Sequence, residues 1–397
     1  MRRIYFFVCI IVLCCINSAQ AHLPCPVNGR GVLQCDAEVK SSYKKGVSLH
    51  FDVNSREESY AARMLTKSLQ ERGYVINANS GDYSIKFLID KRRYDAEAFA
   101  IIPEGNVIKI IGGDYRGLIY GALSLSEDLR NEILLDNAVA RSEKPKLMLR
   151  AVKYDLPWDT YRHSEALNLH DETCRDPKYW EAFLDMMAEN RLNALSLWNL
   201  HPYPFMIIPK NYPEASPFTK EEFKEWQKLF QSIIGMAAER AIETYLIPFN
   251  IFVTPEFSVA HNVAMDNLDH HFYVRGETAQ IVKDYTRECV TQVLEEYPDL
   301  TGFGLTLGEG MAGMTPQERE AWMTETIIEG MRRANRPSKL VHRVPFSSTT
   351  ESLGNTSVET ERITRASIER EADMGFTEGP IFADFKFNWS HSLSTPK

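Results

Sequence analysis

The chain is poor in the signatures of several common chemistries. It has no HExxH zinc motif, no Cys-x-x-Cys pair and no Walker loop, and no phosphate-binding glycine loop opens a helix. These absences argue against a zinc protease, a dithiol redox protein and a nucleotide-binding enzyme. It also has no basic stripe and no interleaving of basic with aromatic residues. Acidic residues outnumber basic ones, 54 to 45, for a net charge of −9, so neither nucleic acid nor an anionic membrane is expected as a partner. There is no low-complexity tract and no short repeat. Cysteine is sparse: seven residues, of which Cys9, Cys14 and Cys15 precede position 21.

What is present describes an exported globular protein. Hydrophobic residues make up 44% and charged residues 25% of the 397, an ordinary soluble composition with length for about two or three domains. The N-terminus carries a basic "MRR", an apolar core "IYFFVCIIVLCCI" and the A-x-A pattern Ala19-Gln20-Ala21, a secretory leader over 1–21. Its apolar run is short for a bilayer span, and no later segment is transmembrane. Export to the periplasm or the extracellular space is expected, without membrane insertion once the leader is removed. Loss of Arg2 and Arg3 with it takes the charge from −9 to −11. Residues 22–44 form a linker. There Cys25 and Cys35 flank "PVNGRG", which is compatible with a small disulfide loop and equally with two unpaired neighbours.

Residues 45–144 predict a small α+β domain. "VSLHFDV" alternates as a strand, "EESYAARMLTKSLQERG" is an amphipathic helix stopped by Gly73, and "YSIKFLI" is a second strand. "AFAIIPEGNVIKIIGG" reads as a hairpin, and "DYRGLIYGALSLSEDLRNE" as a helix capped by Asp114. From 145 to 397 strands and helices alternate. Strands are expected near 148–155, 193–200, 242–250, 301–307, 339–346 and 380–387, and helices near 177–190, 219–239, 275–296, 316–333 and 358–372. Continuous apolar runs such as "IETYLIPFNIF" suit strands covered on both faces. Alternating βα units predict a parallel sheet. Polar and aromatic residues gather at the strand ends, as at the C-terminal face of a (β/α)8 TIM-type barrel. A doubly wound open sheet is the competing architecture. About six βα units are visible where a closed barrel has eight, so the barrel is expected to be incomplete and the chain a piece of a longer protein.

Within "LTGFGLTLGEGMAG" a single carboxylate, Glu309, stands between Gly308 and Gly310 at a strand end. The glycines let a ligand approach the backbone closely. The apolar flanks would desolvate the carboxyl and raise its pKa, as a general acid requires. Glu309 is therefore the candidate catalytic acid. Glycoside hydrolysis needs a second carboxylate, about 5–5.5 Å away for retention or about 6.5–9.5 Å for inversion. Asp155, Asp159, Glu256 and Asp384 are candidates, and none stands out. Candidate substrate-binding residues at strand ends are Trp158, Asp159, Trp198, Asn199, Asn250, Lys386 and Asn388, with Arg162 and Arg343 suited to a ligand carboxylate. Tyr161, Tyr203 and Trp389 could stack on a sugar, or simply pack in the core. "HSEALNLHDETC" is expected to be irregular, with a metal site at His163, His170 and Asp171 the weaker reading. No metal and no cofactor are expected.

Several motifs taken together resemble known glycosidases. "IIGGDYRGLIYGALSLSEDL" is similar to the α/β domain that precedes the barrel in family 20 hexosaminidases and family 67 α-glucuronidases. "RAVKYDLPWD", "RLNALSLWNLH", "RAIETYLIPFNIFVTPEF", "YPDLTGFGLTLGEGMAG" and "KLVHRVPF" resemble, in order, the first five barrel strands of family 67. The resemblance spans about residues 98–390. It implies an α-glucuronidase-like hydrolase acting on polysaccharide side chains, with Glu309 as general acid and a carbohydrate as substrate. The segment "FKFNWSHSLSTP" lacks the carboxylates that family carries after its sixth strand, which leaves the base unassigned. A β-N-acetylhexosaminidase is the first alternative, although Gly308 stands where those enzymes carry an orienting Asp. A non-catalytic carbohydrate-binding barrel is the second.

Overall fold

The computed structural model describes residues 7–8, 45–76, 81–158, 164–263, 265–266, 274–276, 278–306, 311, 314–334, 336–343 and 358–385. These divide into two compact units, Ile11–Pro145 and Lys146–Lys397 joined by Met1–Ile10.

The first unit is a six-stranded mixed sheet with two helices. In chain order its elements are β1 (Gly46–His50), α1 (Arg56–Glu71), β2 (Val75–Ile76), β3 (Tyr83–Ile89), β4 (Phe99–Glu104), β5 (Val107–Gly112), α2 (Tyr115–Arg130) and β6 (Arg141–Glu143). The sheet order is β2-β1-β3-β5-β4-β6. β4 and β5 pair antiparallel with Glu104 opposite Val107, so Gly105 and Asn106 form a two-residue turn. Gly105 has φ of 60°, a conformation that favours glycine and that two-residue hairpin turns require. Both helices start where the sequence places them. Ser55 accepts a hydrogen bond from Glu58 N, and Asp114 accepts one from Gly117 N, each satisfying an otherwise orphaned backbone donor. α1 and α2 pack together, with Leu65, Leu69, Leu118, Leu125 and Leu129 almost fully buried.

The second unit is a curled parallel sheet, half of a (β/α) barrel. Its strands are β7 (Ala151–Asp155), β8 (Ala194–Asn199), β9 (Glu243–Pro248), β10 (Gly302–Leu305), β11 (Lys339–Arg343) and β12 (Phe382–Phe385). Each pairs in parallel with the next in sequence. Phe7–Val8, which lies within the expected leader, pairs in parallel along the outer edge of β12. The connecting helices include α3 (Glu165–Arg175), α4 (Pro177–Glu189), α5 (Tyr203–Met206), α6 (Lys220–Glu239), α7 (Pro255–His261), α8 (Gln280–Glu296), α9 (Pro316–Met323), α10 (Glu329–Arg333) and α11 (Val358–Met374). A five-residue π-helical stretch, Thr324–Ile328, joins α9 to α10. Reciprocal capping boxes, Thr219 with Glu222 and Thr315 with Glu318, set the starts of α6 and α9, as Thr-x-x-Glu predicts.

Residues 165–175, expected to be irregular, form α3. Asp171 pairs with Arg175 one turn on within the helix, at 3.0 Å, and His170 Nε2 meets the Tyr154 hydroxyl at 2.7 Å, so a neighbouring strand also holds this segment. The short helices α5 and α7 were also unexpected. Each has a proline in its first turn, where the missing N–H costs nothing.

Candidate active site

Strand alternation decides which residues face the hollow of the curled sheet. Ala194, Tyr245 and Val341 cluster with Ala151, Ile247 and Phe382 across neighbouring strands. A Cβ on Gly304 would lie 2.5 Å from the Ile247 side chain. Period two then puts Lys153 and Asp155, Ser196 and Trp198, Gly302 and Thr306, Arg343, and Asp384 on that same concave face. The opposite parity faces the helices: Tyr154 packs against His170, Tyr179, Trp180 and Phe183.

The concave face is ionic at its base and mixed at its C-terminal rim. At the base Glu243 accepts from Lys339 Nζ at 2.7 Å and from the Tyr245 hydroxyl at 2.6 Å. Higher up, Lys153 Nζ lies 4.4 Å from the Trp198 ring centroid, within cation–π range. Phe249 meets Trp198 edge-on at 5.8 Å. At the rim Asp155 stands beside Trp198 in register, and Arg343 beside Asp384. Arg343 is buried, and the Ser196 and Thr306 hydroxyls are buried without a hydrogen bond among the described residues.

Of the expected site residues, Asp159, Arg162, Glu309, Lys386 and Asn388 lie outside the described residues, as do His163, the linker cysteines and the leader beyond Phe7–Val8. Trp158, Trp198, Asn199, Asn250 and Arg343 are described. Trp198 and Arg343 share the concave face, and Trp198 is only 2% exposed. Trp158 sits instead among Trp226 at 4.9 Å, Phe205 at 6.4 Å and Phe230 at 6.1 Å, the aromatic side of α5 and α6. Asn199 has the parity opposite to Trp198. Its side chain is fully buried, and neither its amide oxygen nor its amide nitrogen has a partner among the described residues. Asn250 Nδ2 donates to Thr306 O at 3.2 Å. It thereby ties the end of β9 to the residue from which the chain runs on towards Glu309.

Lys153, Ser196 and Thr306 were not among the expected site residues. Their parity with Trp198 and Gly304 was the available signal. Thiol chemistry is disfavoured by burial, which pushes Cys174 up to about 11 and Cys289 well above the ordinary range, so neither is a ready thiolate. No three-residue cluster of metal-ligating type lies on the concave face among the described residues. The one such cluster they contain is on the helix side of β11.

The fold is that of glycoside hydrolases. Among similar solved structures is a GH138 enzyme targeting pectin rhamnogalacturonan II, 26% identical with a TM-score of 0.64, covering 75% of this chain and 44% of that one. A Streptomyces plicatus N-acetyl-β-hexosaminidase is 12% identical with a TM-score of 0.53, covering 86% and 69%. The GH20 β-N-acetylhexosaminidase of Streptomyces coelicolor A3(2) is 14% identical with a TM-score of 0.52, covering 82% and 70%. This chain thus spans less than half the length of the GH138 enzyme. No family model matches the sequence, and no curated protein does. Among the described residues no helix is long and apolar enough to cross a membrane.

Proposed function

We propose that the chain is the barrel-bearing part of an exported glycoside hydrolase acting on side chains of an acidic polysaccharide, with Glu309 as general acid. The observation that carries this is the rim of the curled sheet. There the cations Lys153 and Arg343 share one concave face with the carboxylates Asp155 and Asp384. Hydrolysis of an acidic sugar calls for both, a cation to hold the ligand's carboxylate and carboxyl groups to move protons. Arg343 suits a uronate carboxylate, since its planar fork can pair with both oxygens. Phe249, packed edge-on against the buried Trp198, adds an apolar ring on the same face. Asp155 and Asp384 are the carboxylates nearest the rim in register, and either is a candidate to activate the attacking water. The GH138 likeness agrees in substrate class, because pectin is itself acidic. An α-glucuronidase-like specificity is the narrower form of this reading. The leader over 1–21 supports export.

The test is a pair of substrates and one substitution. Aryl uronides and aryl N-acetylhexosaminides are assayed with the wild-type chain and with Glu309→Gln. We expect turnover on a uronide, reduced about 10²- to 10⁴-fold in the variant, with binding retained. Unchanged turnover in Glu309→Gln removes the assignment. Turnover confined to the N-acetylated substrate favours a hexosaminidase-like enzyme, for which the shared fold of the two Streptomyces enzymes speaks. Binding without turnover on any substrate favours a carbohydrate-binding barrel.

A further inference from the structure

We propose that Glu320, His342 and Glu371 form a structural site for one divalent transition metal of the zinc class, clamping β11 between α9 and α11. The three residues come from three elements and meet on the helix side of the sheet, opposite the concave face. Each offers a ligand atom, and these atoms lie within 4.8 Å of one another. Glu320 is 4% exposed, and His342 and Glu371 are fully buried.

The hydrogen bonds orient the cluster inward. Glu320 Oε1 accepts from Thr364 Oγ1 at 2.8 Å, and Glu320 Oε2 lies 3.0 Å from His342 Nε2. Glu371 Oε1 accepts from Ser367 Oγ at 3.2 Å, and Arg370 Nη2 donates to that same hydroxyl at 2.8 Å. Each carboxylate thus has one oxygen fixed by a hydroxyl on α11, the arrangement by which outer partners orient metal-binding carboxylates; the other faces His342 Nε2 in Glu320 and is left over in Glu371. Glu371 Oε2 is buried and has no hydrogen-bond partner among the described residues. Leaving a carboxylate oxygen unpartnered away from water is costly.

Charge selects the occupant. With His342 neutral and both carboxylates ionised, the cluster carries two negative charges, which a divalent cation balances. Without an ion, protons on His342 and Glu371 have to balance them, and both groups are held above their ordinary range. One nitrogen and two oxygens suit zinc, or manganese, better than calcium or magnesium, which prefer all-oxygen shells. Burial implies that the ion enters during folding and then stays.

The experiment uses the full chain, refolded from urea with zinc chloride or with EDTA and then desalted. Metal content is read by mass spectrometry and stability by thermal unfolding. We expect one zinc per chain and a higher Tm in the zinc-refolded sample, with the zinc lost in Glu371→Gln at unchanged far-UV circular dichroism. If Glu371→Gln does not fold, zinc-edge X-ray absorption of the wild type decides. A shell of one imidazole with oxygen ligands supports the site, whereas sulfur or several imidazoles overturn it. Retention of zinc by a folded Glu371→Gln overturns it. So does a wild-type chain that keeps no metal and unfolds at the same temperature after both treatments, in which case the cluster holds a proton instead.

Discussion

His201 makes the stability of the second unit depend on pH, with a definite sign. It follows β8 and is 2% exposed. Its Nε2 lies 2.9 Å from the Tyr285 hydroxyl of α8, and Tyr203 meets its ring edge-on at 5.2 Å. Burial lowers its pKa from 6.5 to about 3. The unfolded chain takes up a proton as pH falls through about 6.5, and the folded chain does not until about 3. The stability contributed by the neutral ring is therefore complete above 6.5 and is lost progressively on acidification. One pKa unit is worth about 1.4 kcal/mol, so the loss between pH 6.5 and 5 is about 2 kcal/mol. Urea unfolding followed by tryptophan fluorescence at pH 7 and pH 5 measures it. All six tryptophans lie beyond residue 145 and so report on this unit. In His201→Gln the absolute stability falls, but the difference between the two pH values should shrink by about 2 kcal/mol. Carboxylates titrate in both proteins and cancel in that comparison. The same pH difference in both would refute the reasoning.

Two further outcomes follow from packing. A Cβ at Gly302 would lie 1.9 Å from Lys339 O, on the neighbouring backbone, so Gly302→Ala should force β10 from β11 and cost more than about 4 kcal/mol. Gly235→Ala on α6, where nothing lies within 4 Å, should be neutral or stabilising by up to about 1 kcal/mol; equal urea midpoints for the two variants would contradict this. Arg240 is buried and donates from Nε to Asp185 at 2.8 Å, where Asp185 is 30% exposed. Asp185→Asn should therefore cost about 1–3 kcal/mol in urea unfolding, and an unchanged midpoint would show that solvent already screens the pair.

Much of the fold was legible locally. Thr-x-x-Glu at 219 and 315 and the Gly105-Asn106 pair act through their own backbone, so the elements they delimit fall where the residues put them. The apolar runs near 242–250 and 301–307 became β9 and β10 because a strand covered on both faces needs no alternation. That same property hid the site: in an unbroken apolar run nothing marks which side faces the hollow. Residues 165–175 show the converse, since α3 is held by contacts to Tyr154 that no local pattern announces.

The sequence by itself determined a βα-repeating glycosidase-type fold behind a small α+β unit, because backbone capping, turn geometry and apolar length are decided within a few residues. Only the tertiary structure decided sidedness. His342 and Arg343 are neighbours in the chain, yet one is buried against Glu320 and the other belongs to the concave rim. Successive side chains of a strand point to opposite faces, and which face becomes the hollow is set by the helices that cover the other.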